Sequence, residues 1–417
     1  MNNHLFIGLG GQGCRTLAEI RRVMEQRGSD TQTLRDAGIR LEFLAIDSST
    51  DARKEKKIWS YFGKDLSLGE NSWLILSPLD AGGVAALAMR TDVAPWIGDA
   101  TQVRAFLEGA RIEGANQRRR FGRLLFAHNS TAIHNAIFGE KVRNITMNGL
   151  NECAFHIFAT IAGGTGSGCL LDTITSIRNM YADSSVANGF PIFVYLYVTH
   201  DEGEGSDVGY FYQNQFTTLR DLNALMLTNN PLRPHLIGEM QNGELFGGAE
   251  PIAQILLTTS LNRHNLRVPL TTQIQIVAES VFERIYSWNA GNLDAAAQQS
   301  ITGQDQLANF SGEPSSQYEK MERSYRFGGF GMRRWEVPHL KILDYLALDL
   351  LASSLRQMVY NNWQADKGYT NELRFNHGGT MIDDCAKKLN REFEVDLLIP
   401  VHSAKFAIKL RTEINEL

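Results

Sequence analysis

Two glycine clusters carry the chemistry that the sequence most plainly offers. The first is Gly8-Leu9-Gly10-Gly11-Gln12-Gly13, at the end of a short apolar run and before a helical pattern. Glycines there permit positive φ and let backbone N–H groups approach an anion, while a helix N-terminus adds its dipole. Alone this box fits a dinucleotide-binding Rossmann unit or a plain tight turn. The second is Ala162-Gly163-Gly164-Thr165-Gly166-Ser167-Gly168, also between an apolar run and a helical pattern. Four glycines with two hydroxyls make a nest of amides suited to a polyphosphate. Glycine in a helix's first turn costs up to ~1 kcal/mol relative to alanine, so packing preference alone does not explain the cluster.

Other candidates are weaker. Arg118-Arg119-Arg120 with Arg123 reads as a solvated basic helix face or as cations that screen phosphate or grip an acidic neighbour. Cys14 and Cys169 each follow a glycine box and read as small buried packing residues, since no histidine is spaced to activate them. With Cys153 and Cys385 they form no CxxC or zinc-type spacing, which points to reduced thiols in a cytoplasmic protein.

The elements that must hold these boxes are legible in the periodicity. Apolar runs at 4–9, 41–46, 73–76, 153–162, 190–199 and 252–259 read as strands. Helical patterns cover 13–27, 121–137, 167–180, 208–227 and 271–288. Strands without polar alternation, separated by helices, imply a parallel sheet covered on both faces. The fold class is therefore α/β: a Rossmann-like nucleotide-binding domain over 1–270, a central connecting helix over 271–290, and a smaller α+β or mostly helical domain over 291–417. In that last region 325–332 reads as a strand, and 339–363 and 379–393 as helices. The stretch 404–417 has no terminating signal and reads as a chain that continues.

Composition sets outer bounds. The chain has 417 residues, 41 Lys+Arg against 46 Asp+Glu and a net charge of −5, enough for two domains and without the basic footprint of a nucleic-acid binder. No window approaches the ~20 apolar residues of a membrane span, and Met1-Asn2-Asn3-His4 lacks the basic start of a signal peptide. The 37 glycines exceed the roughly 29 that a ~7% background gives, and the two boxes hold eight of the 37.

With both boxes in view, the chain resembles the tubulin and FtsZ superfamily, whose GGGTGSG signature is similar to AGGTGSG at 162–168. The resemblance covers residues 4 to about 295 in order. It implies a GTPase that binds GTP/GDP with Mg²⁺ and assembles head to tail into cytoplasmic filaments, with room for an accessory protein. Carried over residue by residue, the phosphate loops are Gly10, Gly11, Gln12, Gly13 and Cys14, then Asp47 and Ser49, then Ala115 and Asn116, then Gly163, Gly164, Thr165, Gly166 and Ser167. Glu204 is similar to the family's ribose-contacting acid. Asn262 stands for the base-reading asparagine, with Asn265 and Asn214 as alternatives and an ordinary polar loop an equal reading.

Two departures matter. Arg15 stands where FtsZ carries a base-holding asparagine, and Ala297 stands at the last acid of the NxDxxD pattern begun by Asn292-Leu293-Asp294. In the family, one subunit's acid completes the next subunit's hydrolytic site. Asp294 is the candidate for orienting the attacking water, against a plain helix-capping role, with Asp305 behind it. Two other readings stay open. One is a nucleotide-binding scaffold that no longer hydrolyses. The other is a Rossmann-type NAD- or ATP-dependent enzyme, although Asp47 lies farther than the ~20 residues beyond the glycines that a dehydrogenase favours.

Overall fold

The computed structural model describes residues 2–106, 114–147, 149–181, 186, 189–199, 210–226, 252–261, 266–289, 327–329, 344–352, 355, 363–364, 368–369, 375–376 and 379–380. The chain divides into two compact units, Met1–Met332 and Arg333–Leu417.

The first unit is built on seven strands: β1 (Asn3–Leu9), β2 (Arg40–Asp47), β3 (Trp73–Ile75), β4 (Ala154–Thr160), β5 (Ile192–Val198), β6 (Gln254–Thr259) and β7 (Phe327–Gly329). They lie in the order β3-β2-β1-β4-β5-β6-β7, and every neighbouring pair is parallel. A parallel sheet needs cover on both faces, and period-two alternation supplies two apolar surfaces. Leu5, Ile7 and Leu9 join Leu44, Ile46, Ile157 and Leu196 on one face. Phe6 joins Phe43, Phe158, Tyr195 and Tyr197 on the other.

Among the helices that cover these faces are α1 (Gly10–Gln26), α2 (Arg119–His128), α3 (Gly164–Met180), α4 (Phe211–Met226) and α5 (Leu270–Asn289). Leu17, Ile20 and Met24 of α1 pack with Ile274, Val277 and Val281 of α5 over the aromatic face. Leu124 of α2, Ile174 of α3 and Leu222 of α4 cover the aliphatic one. Each fully buried Leu, Ile or Phe is worth about 1.5–3 kcal/mol, so the two faces carry most of the unit's stability. Among the described residues, no helix is long and apolar enough to cross a membrane.

The expected strands and helices are present, with three informative differences. Helices α1 and α3 begin at Gly10 and Gly164, inside the glycine boxes rather than after them. Of the expected strand at 325–332, residues 327–329 are described; they form β7, which pairs with β6 at the edge of the main sheet. In the second unit, Trp363–Gln364 pairs antiparallel with Gly368–Tyr369 and Phe375–Asn376 with Gly379–Thr380, so β-pairs stand where the sequence pattern suggests a helix end and a helix start.

One local feature runs against backbone preference. Ser60–Tyr61 and Lys64–Asp65 form a hairpin closed by two residues, Phe62 at φ 44° and Gly63 at φ 79°. Two positive φ angles define the hairpin turn that favours Asn-Gly, and a non-glycine residue held left-handed costs on the order of 1 kcal/mol. Phe62 buries little in exchange: the residue is 89% exposed, with the neighbouring Tyr61 ring as its aromatic contact. Phe62→Asn should therefore stabilise the chain by about 1 kcal/mol. Urea unfolding would show a higher midpoint at unchanged slope, and an unchanged or lower midpoint would contradict the strain argument.

Candidate functional site

The order of the strands reverses direction between β1 and β4. The crevice outside their carboxyl ends is where open α/β sheets bind ligands. Both glycine boxes lie there. Strand β1 passes into α1 without a loop: Leu9 is the extended N-cap residue, and no side chain caps the helix. The orphan amides of the first turn are thus left for a ligand. Gly10 has φ +69°, and a Cβ there would stand 3.1 Å from the Gly166 nitrogen. A Cβ on Gly8 would lie 2.6 Å from the Gly13 carbonyl oxygen, and one on Gly13 would run into the Phe158 carbonyl. Gly11 is different, since only Asp47 Oδ2 comes near, at 3.9 Å, and the space is open.

The second box repeats the arrangement. Gly163 is an extended N-cap without a side-chain cap for α3, and Ser167 Oγ donates back to its carbonyl. A Cβ on Gly166 would sit 2.7 Å from the Thr160 carbonyl oxygen. On Gly164 it would sit 2.8 Å from the Arg118 nitrogen, and on Gly168 2.6 Å from the Arg119 carbonyl oxygen. On Gly122 it would run into the Gly164 carbonyl. Half of this box is therefore set by α2 lying hard against α3, a packing demand that the spacing alone does not show.

The arginine run serves that same contact. Arg123 is buried and bonds Asp172 through two nitrogens, Nε to Oδ2 at 2.9 Å and a terminal nitrogen to Oδ1 at 3.0 Å, with its guanidinium 4.1 Å from the Trp96 ring centre. Arg119 pairs with Asp221 of α4 at 2.8 Å and donates to the Ser167 carbonyl at 3.3 Å. These two cations are neither a solvated face nor phosphate ligands.

A third and a fourth segment close on the boxes. The Ser48 and Thr165 hydroxyls are 2.7 Å apart, and Ser48 Oγ accepts from the Ala115 nitrogen at 3.4 Å. One serine thus ties the ends of β2 and α3 to loop 114–117. That loop holds Asn116 and Gln117 left-handed, at φ 44° and 56°. Asn214 of α4 braces it: its side-chain Nδ2 donates to the Gln117 carbonyl at 2.6 Å and the Ala162 carbonyl at 2.9 Å. Asp47 is 4% exposed and accepts from the Ser48 nitrogen at 2.7 Å. Burial pushes its carboxyl up to about 6, with the Ser48 and Ser49 amides pulling the other way.

These elements enclose a cavity of about 710 Å³. Gly10, Gly11, Gln12, Gly163, Gly164, Thr165 and Gly166 line it, together with Arg15, Thr199, Arg267, Leu270 and Gln273. Arg15 is ion-paired with Glu55 at 2.6 Å. Among the described residues, Gln12 Oε1, Thr199 Oγ1 and Gln273 Oε1 of the lining are buried without a hydrogen-bond partner. Buried orphans of this kind call for a ligand group, since leaving one unpaired costs about 1–3 kcal/mol. Gln273, 2% exposed, is the instructive one. Its Nε2 donates to the Val268 carbonyl at 3.0 Å, which leaves Oε1 as its unused acceptor.

Of the residues singled out by sequence, members of both boxes line the cavity, while Asp47 lies near Gly11 and Ala115 against Gly164; Asp47, Ser49, Ala115 and Asn116 are not among its lining residues. Cys14 points the other way: its side chain is fully buried in the aromatic-face core, and burial raises its thiol pKa. Ser167 is also fully buried, as a brace on its own loop. Asn214 supports loops. Glu204, Asn262 and Asp294 lie outside the described residues. Sequence reasoning missed Thr199 and Gln273. Their one signal was position, at a strand's carboxyl end and a long helix's first turn on the same edge as both boxes.

Two uncapped helix N-termini at the reversal point of a parallel sheet define a Rossmann-like fold with first-turn amides placed as an anion would require. The family model described as "Tubulin like" matches residues 5–356, and the chain belongs to this tubulin-like family. Among solved structures it is similar to CetZ from Methanosaeta thermophila strain DSM 6194, with 16% identity over 79% of this chain and 62% of that one and a TM-score of 0.41. CetZ1 from Haloferax volcanii, a GDP-bound monomer, gives 13% identity over 72% and 64% at a TM-score of 0.38. TubZ from Bacillus thuringiensis serovar israelensis, a GTPγS-form protofilament, gives 12% over 69% and 56% at 0.34. The chain thus spans under two thirds of the length of the first of these. No curated protein matches it.

The buried carboxyl gives a pH test. Asp47 has its folded value at about 6 against an ordinary 3.8, so between those values the folded chain holds the proton more tightly than the unfolded one. Its contribution to stability therefore falls as pH rises through that window. Asp47→Asn should unfold in urea much like the parent near pH 4 and gain up to about 3 kcal/mol over it by pH 7. A difference that does not change with pH would refute this account of Asp47.

Proposed function

We propose that the chain is a GTPase of the tubulin type, which binds a guanine nucleotide in the 710 Å³ cavity and self-associates head to tail. The observation that carries this reading is the pair of uncapped N-termini of α1 and α3, opening on one cavity whose lining residues include buried polar atoms without a partner among the described residues. The phosphates lie against Gly10, Gly11, Gly163, Thr165 and Gly166, where amides and dipoles converge. The base lies toward Gln273. An acceptor there suits guanine, whose ring N–H and amino group both donate, better than adenine, which offers the amino group alone. The residues fit Mg²⁺ in one respect: among the described residues Asp47 is a carboxylate without an ion-pair partner, close to Gly11 of the first box. The ion, when bound, would neutralise phosphate charge there. Glu204 and Asn262 are assigned to ribose and base on the family pattern.

Hydrolysis needs a carboxylate to orient a water in line with the terminal phosphate. Asp294 of one copy is assigned that role in the site of the next, so the active unit is an assembly and turnover rises with protein concentration. The second reading, a non-hydrolysing nucleotide-dependent scaffold, is favoured by Ala297 in place of the pattern's last acid.

Measuring GTP hydrolysis per chain across a range of protein concentrations separates the two. The proposal expects a rise with concentration and, for Asp294→Ala, a loss of at least about 100-fold with nucleotide binding retained. A rate that is independent of concentration would count against it, and absence of turnover with tight binding would favour the scaffold. Gln273→Leu, by removing the acceptor, should weaken GTP about 10-fold and leave the much weaker ATP binding nearly unchanged. Equal losses for both nucleotides, read by equilibrium dialysis, would remove Gln273 from base recognition.

A further inference from the structure

The hairpin of Ser60–Asp65 takes no part in the cavity, and its sequence is not explained by the fold. Its base is rigid. Trp59 is buried, donates from Nε1 to the Ala52 carbonyl at 2.7 Å and sets its ring edge-on to Trp73. The Leu66 nitrogen bonds the Trp59 carbonyl at 2.6 Å, Asp65 caps the Ser67 nitrogen at 2.8 Å, and Lys64 pairs with Glu25 at 2.7 Å. On this mount Phe62 is held left-handed at φ 44° and is 89% exposed, with the adjacent Tyr61 ring as its aromatic contact at 4.5 Å. A strained, exposed aromatic on a firm support is a feature that local stability opposes.

The second observation is charge. Lys54, Lys56 and Lys57 immediately precede the hairpin and are exposed. Among the described residues none of the three is ion-paired, whereas nearby Arg15, Arg53 and Lys64 are. The hairpin thus carries one exposed ring at its turn and follows a segment with three exposed lysines.

We propose that this hairpin is a membrane-docking tip, in which Phe62 inserts into the interface of an anionic lipid bilayer and the lysines contact its headgroups. A two-residue convex turn falls far short of the ~800 Å² per partner that a specific protein interface buries. A bilayer interface asks for no complementary pocket, accepts an aromatic ring at headgroup level, and attracts clustered lysines. Glu25, which anchors the hairpin, lies 15 residues along α1 from Gly10, about 22 Å at 1.5 Å per residue. One ring and three lysines give a weak, reversible attachment, of the kind that multiplicity strengthens.

Flotation with vesicles tests this on the full chain. Phosphatidylcholine vesicles containing about one third phosphatidylglycerol should carry the protein up the gradient, and pure phosphatidylcholine or high salt should not. Phe62→Asn, which relieves turn strain and keeps the fold, should lower the bound fraction about fivefold. The combined change Lys54→Gln, Lys56→Gln, Lys57→Gln should do the same. The proposal is overturned if the parent chain ignores anionic vesicles, or if Phe62→Asn floats as well as the parent. It is also overturned if the parent ignores vesicles while a co-purifying protein is lost on Phe62→Asn, which would assign the tip to a protein partner.

Discussion

The structure depends on how closely two helix N-termini can be brought to the carboxyl ends of β1 and β4. Gly13 lies under the Phe158 carbonyl, Gly166 on the Thr160 carbonyl, and Gly10 beside the Gly166 nitrogen, with no room for a side chain at any of them. Any larger residue would push one helix off the sheet and separate the two sets of first-turn amides. Each helical glycine costs up to ~1 kcal/mol of intrinsic propensity, which the packing of α1 and α3 onto both faces must offset. Gly122 extends the same constraint outward, because α2 meets α3 at the Gly164 carbonyl. Close packing and ligand access therefore follow from the same residues.

Around that contact, polar side chains fix loops that have no apolar core of their own. Ser48 joins three segments through one hydroxyl, and Asn214 joins two through one amide. Arg119 reaches from α2 to both Ser167 and Asp221. These bonds hold Asn116 and Gln117 in a conformation that non-glycine residues seldom take. They give the cavity a fixed shape, which limits the ordering that a ligand must supply on binding.

Much of this was legible in the order of residues. Strands read as unbroken apolar runs because a parallel sheet is buried on both faces, and the boxes stood out because glycine is unfavourable where helices begin. The demand on Gly122, Gly164 and Gly168 was not legible, since it arises only when two helices distant in sequence touch. Arg123 looked available for a phosphate because its partners, Asp172 and Trp96, come from other elements. Gln273 was invisible for a similar reason: what marks it is an unpaired acceptor atom, a property of the folded chain. Phe62 passed unnoticed because a single Phe-Gly pair carries no turn signal of the Asn-Gly kind. In the second unit, Trp363 and Gly379 followed helical periodicity yet lie in short β-pairs, where local pattern is weakest against pairing.

The central claim is that the crevice between the two glycine boxes is a guanine-nucleotide site. Equilibrium titration of the full chain with GTP, GDP, ATP and NAD tests it most directly. The account expects saturable one-to-one binding of GTP, displaced by GDP and indifferent to NAD. Saturable binding of NAD or ATP without binding of GTP would contradict it.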